Sequence, residues 1–443
     1  MSVFSIWWAG LDAVRSDRLV LDNVRVEGPR LTIAHDVFDL RQIRRIAVVG
    51  AGKAGAGMAA GLEQAIGPRV ASEKQLTGWL NVPADCVRPL AAIHLHAARP
   101  AGVNEPTAQG VQGSRAMLDI AGSLSADDLL IALISGGGSA LAPLPIEGVT
   151  LEDKLAVTRF LSAAGANIQE LNTVRKPLSA IKAGGLARAC RAGRLVALII
   201  SDVLGDPLDV IASGMSVPES SSPREALAVL ERFGARSAGI SPRVFDGLSR
   251  TADARQPPIT CKVSNHVIAN NATAVNAAAA NARTQGFRVE SSSANQPEGA
   301  AEDVGCELAE RAIALRDNGQ TDCLISGGEP TVKLSPEGVR GRGGRNQQLV
   351  LAAARRLMLD GAKGITLLSG ATDGEDGPTD AAGALVSSRV LAEAGRRGLD
   401  ADDYLRRNDA YHWFEPLDAL FKIGPTDTNV CDLRVVVINR KQA

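Results

Sequence analysis

The chain has 443 residues, 45% of them hydrophobic and 22% charged, with a net charge of −1. At roughly 150 residues per domain that length suits two or three domains with ample core. The near-neutral charge and an aromatic content of only 3% provide no footprint for nucleic acid or an anionic membrane.

The opening stretch, MSVFSIWWAGLDAVRSDRLV, lacks a basic leader and a long apolar segment, so it does not read as a signal peptide. Phe4, Trp7, Trp8, Leu11 and Val14 recur at helical spacing and predict an amphipathic helix docked on the body. Core packing is the favoured use of the Trp pair, with a homodimer contact as the alternative. No apolar run approaches the roughly 18 residues of a membrane helix.

Next comes IAVVGAGKAGAGMAAG, Ile46 to Gly61, in which Gly50, Gly52 and Gly55 spell G-x-G-x-x-G between a strand and a helix. That is the dinucleotide fingerprint, which expects an acid about 20 residues on for the ribose. The following strand, QLTGWLNVP, brings Glu73 too early and Asp85 too late. A Walker A loop needs Ser or Thr after the lysine, and Ala54 follows Lys53. What remains is a glycine turn with an ammonium on it, either an anion site or a tight turn with a solvated lysine.

Short apolar runs then alternate with alanine-rich helical runs, the βαβ grammar of open, mostly parallel sheets. His94 and His96 alternate on one strand and read as a solvated face rather than a metal pair. Six cysteines lie scattered without a C-x-x-C, which fits reduced thiols in a cytoplasmic protein. Three strands end in related small-residue loops, LISGGGSA from Leu133, LISGGEPT from Leu324 and LLSGATDG from Leu367. The first places Ser135, Gly136, Gly137, Gly138 and Ser139 where backbone amides can meet phosphate or carboxylate.

Further on, LNTVRKPLSAIKAGGLA supplies Asn172, Arg175, Lys176, Ser179 and Lys182; on a helix, Arg175, Ser179 and Lys182 would share one face. Asp202 and Asp206 flank a glycine turn and suit Mg²⁺ or a general base. A Pro- and Ser-rich stretch from Val217 to Val244 predicts a linker and a domain boundary near residue 240. Beyond it, Gly328 and Glu329 end a strand. Arg342 and Arg345 bracket Gly343 and Gly344, and Asn346 begins a helix, a pattern that predicts an anion clamp at a helix N-terminus. Asp373, Gly374, Glu375, Asp376 and Asp380 form an acidic loop suited to a metal–nucleotide complex or to a polyol. Thr428, Asn429 and Asp432 precede the last apolar strand. Many anion donors, several carboxylates and no nucleophile–His pair favour phosphoryl transfer, which is mostly positioning and charge neutralisation.

Taken together, GAGKAGAGMA, LISGGGSALAPLP, LNTVRKPLSAIKAGGLA, SDVLGDPLDVIASG, SGGEPTVKL, GRGGRNQQLVLAAA, TDGEDGPTDAAGA and GPTDTNVCDLRVVVI resemble, in order, the motifs of the glycerate 2-kinase family. The resemblance implies two α/β domains with mostly parallel sheets and an active site in the cleft between them. A Rossmann-like N-terminal domain would span 1–240, and a C-terminal domain, 241–443, would contain a MOFRL segment at about 318–437. It implies ATP-dependent phosphorylation of D-glycerate, with Mg²⁺, and identifies Lys53 and Arg345 as the family's important lysine and arginine. Some members have been labelled hydroxypyruvate reductases, which keeps that alternative, another small hydroxy acid and a non-catalytic sensor in play. Where the family usually has Glu and His, this chain has Gln348 and Pro177; the family's HPxPD reads ARPAGVNEP.

On this reading Lys53 and Arg345 serve the phosphoryl group, and Arg175 or Lys182 the substrate carboxylate, with Asn172 beside them. The Ser135 to Ser139 loop meets anion oxygens. Asp202 or Asp206 acts as base, with Asp206 and Asp373 as metal ligands. Gly328, Glu329, Arg342, Gly343, Gly344, Asn346, Asp373, Gly374 and Asn429 lie on the nucleotide side. Charge reversal at Arg345 is expected to abolish turnover with little effect on folding.

Overall fold

The computed structural model describes residues 3–103, 105–218, 222–254, 257–360 and 362–439. It divides into two compact units, Ser16–Ile200 with Asp206–Ile268, and Met1–Arg15 with Ser201–Gly205 and Ala269–Ala443. The first carries a parallel sheet and the second a mixed one.

The parallel-sheet unit begins with a small antiparallel sheet of β1 (Val24–Glu27), β2 (Arg30–Ile33) and β3 (Asp36–Asp39). Its main sheet comprises β4 (Ile46–Ala51), β5 (Thr77–Pro83), β6 (Ile93–Arg99), β7 (Leu129–Ser135), β8 (Arg194–Ile200) and β9 (Lys262–Ala269). The order is β6-β5-β4-β7-β8-β9, and β6–β5, β5–β4, β4–β7 and β7–β8 are all parallel. Numbered within the sheet this is 3-2-1-4-5-6, the doubly wound order. Every residue of β4 and β7 is buried, as helix-covered parallel strands require. The order reverses between β4 and β7, so the loops after these two strands border the crevice where such sheets bind ligands.

Several glycines of the first motif serve packing. A Cβ at Gly57 or Gly61 would lie 2.0 Å from Ser16 Oγ or 2.4 Å from Asp17 O, so their absence lets helix Gly55–Glu73 lie against helix Ser16–Asn23. His94 and His96 sit side by side along Trp79, their ring centroids 4.3 and 5.0 Å from it.

The stretch expected as a linker holds helix Pro223–Arg232 and enters helix Pro242–Asp253; residues 219–221 lie outside the described ones. Prolines at the first turns and the Ser222 capping box start helices here rather than break the chain. Val229, Leu230, Val244, Phe245 and Leu248 share an apolar cluster with Val157, Leu161 and Val174, on both sides of residue 240.

The mixed-sheet unit contains β10 (Val289–Ser293), β11 (Cys323–Gly328), β12 (Ile365–Ala371), β13 (Gly383–Ser387), β14 (Leu420–Phe421) and β15 (Asp432–Ile438), in the order β10-β11-β15-β12-β13-β14. Here the expectation of a mostly parallel sheet needs correction. Only β10–β11 is parallel, because β15 inserts antiparallel between β11 and β12 and two further antiparallel strands extend the edge. The reversed strand has a local consequence: Asp432, its first residue, stands beside Gly328 and Ala371, the last residues of β11 and β12.

Helices Ala301–Asn318 and Arg345–Met358 pack on Leu324, Leu367 and Val436. Leu433, three residues from Val436 and so on the opposite side of the strand, meets helix Val3–Asp12 at Gly10. Trp7 is buried there and donates Nε1–H to Leu433 O at 3.0 Å, which bears out core packing, whereas Trp8 is 40% exposed. No helix of the described residues is long and apolar enough to cross a membrane.

Candidate active site

In the parallel-sheet unit the loops after β4 and β7 are joined by hydrogen bonds. Lys53 N–H donates to Gly136 O at 2.9 Å and Ala54 N–H to Ser135 Oγ at 3.0 Å. The closeness requires glycine: a Cβ at Gly50 would be 2.1 Å from Leu133 O, and one at Gly52 would be 2.0 Å from Ser135 Oγ. Gly137, with φ +79°, turns the β7 loop in a left-handed conformation. A Cβ there would lie 3.4 Å from Lys53 Cγ and 3.5 Å from Arg99 Nη2. Lys53 and the buried Arg99 therefore extend over Gly137. Arg99 was missed by sequence reasoning; its only sign was a basic residue at the end of β6. At the end of β5, where a dinucleotide site would carry its acid, Asn81 is wholly buried and donates Nδ2–H to Leu141 O at 2.7 Å and Gly110 O at 3.2 Å. The last residues of β5, Asn81, Val82 and Pro83, include no acid.

Lys182 is 4% exposed, and its ammonium donates to Ser139 O at 2.8 Å. Ser139 Oγ meets Ser213 Oγ at 2.8 Å. Burial and the charges of Lys154 and Arg175 hold the Lys182 pKa well below that of an ordinary lysine. Burial also lowers that of Arg175. The shared helical face expected for Arg175, Ser179 and Lys182 does not form. Helix Ile168–Arg175 stops because Pro177 has no N–H to continue it. The segment beyond brings Lys182 back within the field of Arg175 by a tertiary route. Asn172 lies in the same helix, half-buried.

Left-handed residues lie around this loop, Ala183 at φ +52°, Ala212 at +48° and Ser213 at +58°, and Asp206 is left-handed as well at +53°. Ala183 N–H donates to Ser213 O at 3.0 Å and Gly184 N–H to Gly214 O at 2.7 Å. Such strain persists where surrounding structure over-determines it, typically at ligand sites.

In the mixed-sheet unit Arg345 is the centre. Its Nε–H donates to Asp432 Oδ2 at 2.8 Å, Nη2–H to Asp432 Oδ1 at 3.0 Å, and Nη1–H to Glu329 Oε1 at 2.6 Å. Burial works against the charged guanidinium, but Asp432 and Glu329 outweigh it and raise its pKa. Cys431 Sγ–H donates to Asp202 O at 3.0 Å, and Asn429 Nδ2–H to Asp202 Oδ2 at 3.0 Å. Arg345, Glu329, Asp432, Cys431, Asn429 and Asp202 thus form one cluster. Nearby acids and burial push the Cys431 thiol well above its ordinary pKa, burial being the larger cause.

The expected anion clamp at the start of helix Arg345–Met358 is occupied by the protein itself. Asn346 N–H and Gln347 N–H donate to Asp376 Oδ1 and Oδ2 at 2.9 and 2.8 Å. A Cβ at Gly344 would lie 2.3 Å from Asp376, so that glycine admits an internal carboxylate rather than phosphate. Burial raises the Asp376 pKa to about 7 against the pull of these amides. Asn346 is fully buried and accepts from Ser369 Oγ at 2.5 Å. Arg342 lies over the Tyr411 ring, 4.3 Å from its centroid, and donates to Pro378 O. A Cβ at Gly343 would have only van der Waals neighbours, the nearest at 3.4 Å.

Other glycines expected at ligands are also explained internally. Gly327 and Gly328 make room for Asn271 and Glu298, Gly370 for Phe421, and Gly374 for Gly424 O. Asp373 Oδ1 accepts from Glu375 N–H at 3.0 Å. No group of three or more His, Cys, Asp or Glu side chains able to hold a metal occurs among the described residues. Asp206 and Asp373, the expected ligands, belong to no such group; one protein carboxylate is enough for Mg²⁺ where phosphate and water complete its shell.

A domain of unknown function, DUF4147, matches residues 2–249, and the MOFRL family matches residues 322–432. A glycerate kinase from Danio rerio is 36% identical, covering 98% of this chain and 96% of its own. A D-glycerate 2-kinase from Thermotoga maritima is 37% identical over 76% of this chain and 79% of its own. The crystal structure of a Thermotoga maritima glycerate kinase matches with a TM-score of 0.81 at 33% identity, covering 98% of both chains.

Proposed function

The chain belongs to the glycerate kinase family, and from that membership we propose that it phosphorylates the 2-hydroxyl of D-glycerate with ATP through the residues described above. The hydroxyl oxygen attacks the γ-phosphorus, the bond to the β-phosphate oxygen breaks, ADP leaves, and a carboxylate, Asp202 or Asp206, accepts the hydroxyl proton. Lys53 neutralises charge on the transferring group, and the Gly136 to Gly138 amides meet its oxygens. Arg175 and Lys182 hold the substrate carboxylate. Arg345 uses three of its five N–H groups on Asp432 and Glu329, which fixes its plane and leaves two for a phosphoryl oxygen. Asp206 or Asp373 would hold Mg²⁺, which would supply charge neutralisation on the nucleotide phosphates. A cytoplasmic location is part of the same proposal.

The observation that carries this reading is Lys53 and Arg99 extended over the left-handed Gly137 at the reversal point of a doubly wound sheet, with no acid among the last residues of β5. This favours phosphate handling over a nicotinamide site. ADP release with D-glycerate and Mg·ATP, followed beside NADH absorbance with hydroxypyruvate, tests it. Release of ADP that does not depend on D-glycerate, or NADH oxidation without ATP, would sink the proposal.

A further inference from the structure

The mechanism above leaves Lys154 unused. It lies in the second turn of helix Leu151–Ala163, and its Nζ is fully buried without a hydrogen-bond partner among the described residues. The nearby acids are committed elsewhere. Asp153 accepts from Arg243 and from Thr150 N–H. Glu170 accepts from Asn167 N–H and pairs with Arg232. Asp209 pairs with Lys176, and Glu152 is exposed and acts on Arg243. The charges that do reach Lys154 and Lys182 are cationic: Arg175 on Lys154, and both on Lys182. Ser179 Oγ is also buried without a partner among the described residues. Lys182 ties the cluster to the Ser139 loop.

Buried charges are ordinarily paired, and three cations without a counter-carboxylate among the described residues form an arrangement that an anion completes. We propose that Lys154, Arg175 and Lys182 form one oxyanion subsite for the carboxylate of the hydroxy acid, with Lys154 making an ionised acid obligatory, an inference that rests on the kinase reading for the identity of that acid. The Ser179 hydroxyl supplies a further donor to the bound carboxylate. Burial, with the Arg175 charge, lowers the Lys154 pKa to about 7. A bound carboxylate raises it again, so the ammonium is fully formed only in the complex.

The test pairs steady-state kinetics with thermal unfolding of the full chain, with and without D-glycerate and with no nucleotide. D-Glycerate raises the Tm of the parent protein, and neutral glycerol does not. In Lys154→Met the D-glycerate shift disappears and KM for D-glycerate rises about 30-fold, equivalent to about 2 kcal/mol. KM for Mg·ATP stays unchanged, and Lys154→Arg restores the D-glycerate shift. The ligand-free Tm of Lys154→Met is maintained or raised, because a buried, repelled cation has been removed. An unchanged KM and D-glycerate shift in Lys154→Met overturns the proposal, as does a lower ligand-free Tm with unchanged KM. If the parent releases no ADP yet shows a Lys154-dependent D-glycerate shift, the kinase reading fails and the subsite stands. If Lys154→Met turns over with the parent KM, the subsite fails and the kinase reading stands.

Discussion

Arg345 and Asp432 form a bidentate ion pair at the head of β15, with bonds of 2.8 and 3.0 Å. Asp432 is fully buried, and Glu329 closes the third side of the guanidinium at 2.6 Å. This pair revises the expectation that charge reversal at Arg345 spares folding. In Arg345→Glu three carboxylates would face one another, one of them buried. We expect turnover to vanish together with about 3–5 kcal/mol of stability, read by urea unfolding. Arg345→Lys keeps the charge but loses the planar fork, so kcat should fall about 100-fold with a smaller stability loss. Parent-like stability in Arg345→Glu would contradict the pairing.

Lys53 extends over Gly137, and its role is testable apart from the fold. Lys53→Met retains the apolar stem and removes the charge. The expected result is a loss of about 10²–10³ in kcat, the scale of removing one preorganised electrostatic contact, with little change in Tm. Unchanged kcat in a stopped assay of ADP formation would remove Lys53 from the reaction.

Gln348 stands where the resemblance leads one to expect Glu, and the structure gives its amide two partners. Its Nε2 donates to Glu302 Oε1 at 3.0 Å and to Leu405 O at 2.9 Å. A carboxylate there would confront an acid and a carbonyl. Gln348→Glu should cost about 2 kcal/mol at pH 8, and adding Glu302→Gln should recover part of it. Additive losses in the double variant would disprove the coupling.

Lys154 carries a pH signature. Its pKa is about 7 in the folded chain and near 10.5 when unfolded. Between those values the unfolded state binds more protons, so stability rises with pH across that window. Below about pH 7 both states are protonated, and the burial penalty is present in full. Lys154→Met should flatten the rise between pH 7 and 10 in a comparison of Tm against pH. Parallel profiles for the two proteins would show that Lys154 is not buried as a charge.

Asp376 carries the opposite sign. Burial lifts its pKa to about 7, so between about pH 4 and 7 the folded state holds the extra proton and stability falls as pH rises. Asp376→Ala should also remove the cap from helix Arg345–Met358, at about 1–2 kcal/mol. Amide exchange at Asn346 and Gln347 would then accelerate. Unaltered exchange at both would show that the carboxylate is not the cap.

Much of this protein is written in local order. The parallel sheet follows from fully apolar runs that alternate with alanine-rich helices, since strands buried on both faces must be apolar along their length. The glycine turns after β4 and β7, and the ribose acid missing after β5, were readable because they depend on residues a few positions apart. The alternation of apolar and polar residues did not disclose that β15 runs backwards between β11 and β12, because a buried strand looks the same in either direction. That reversal sets Asp432 among the ends of its neighbours, where it engages Arg345. Likewise, a glycine permits close approach without saying what approaches: around Gly344 it is Asp376, 32 residues away in sequence. The cationic subsite is also a tertiary product. Pro177 ends the helix that would have aligned Arg175 with Lys182, and folding of the following segment restores their proximity and adds Lys154 from another helix. Sequence determined which charges and turns the chain contains; long-range packing decided which charges are neutralised internally and which await an anion, because electrostatic pairing depends on distances through space.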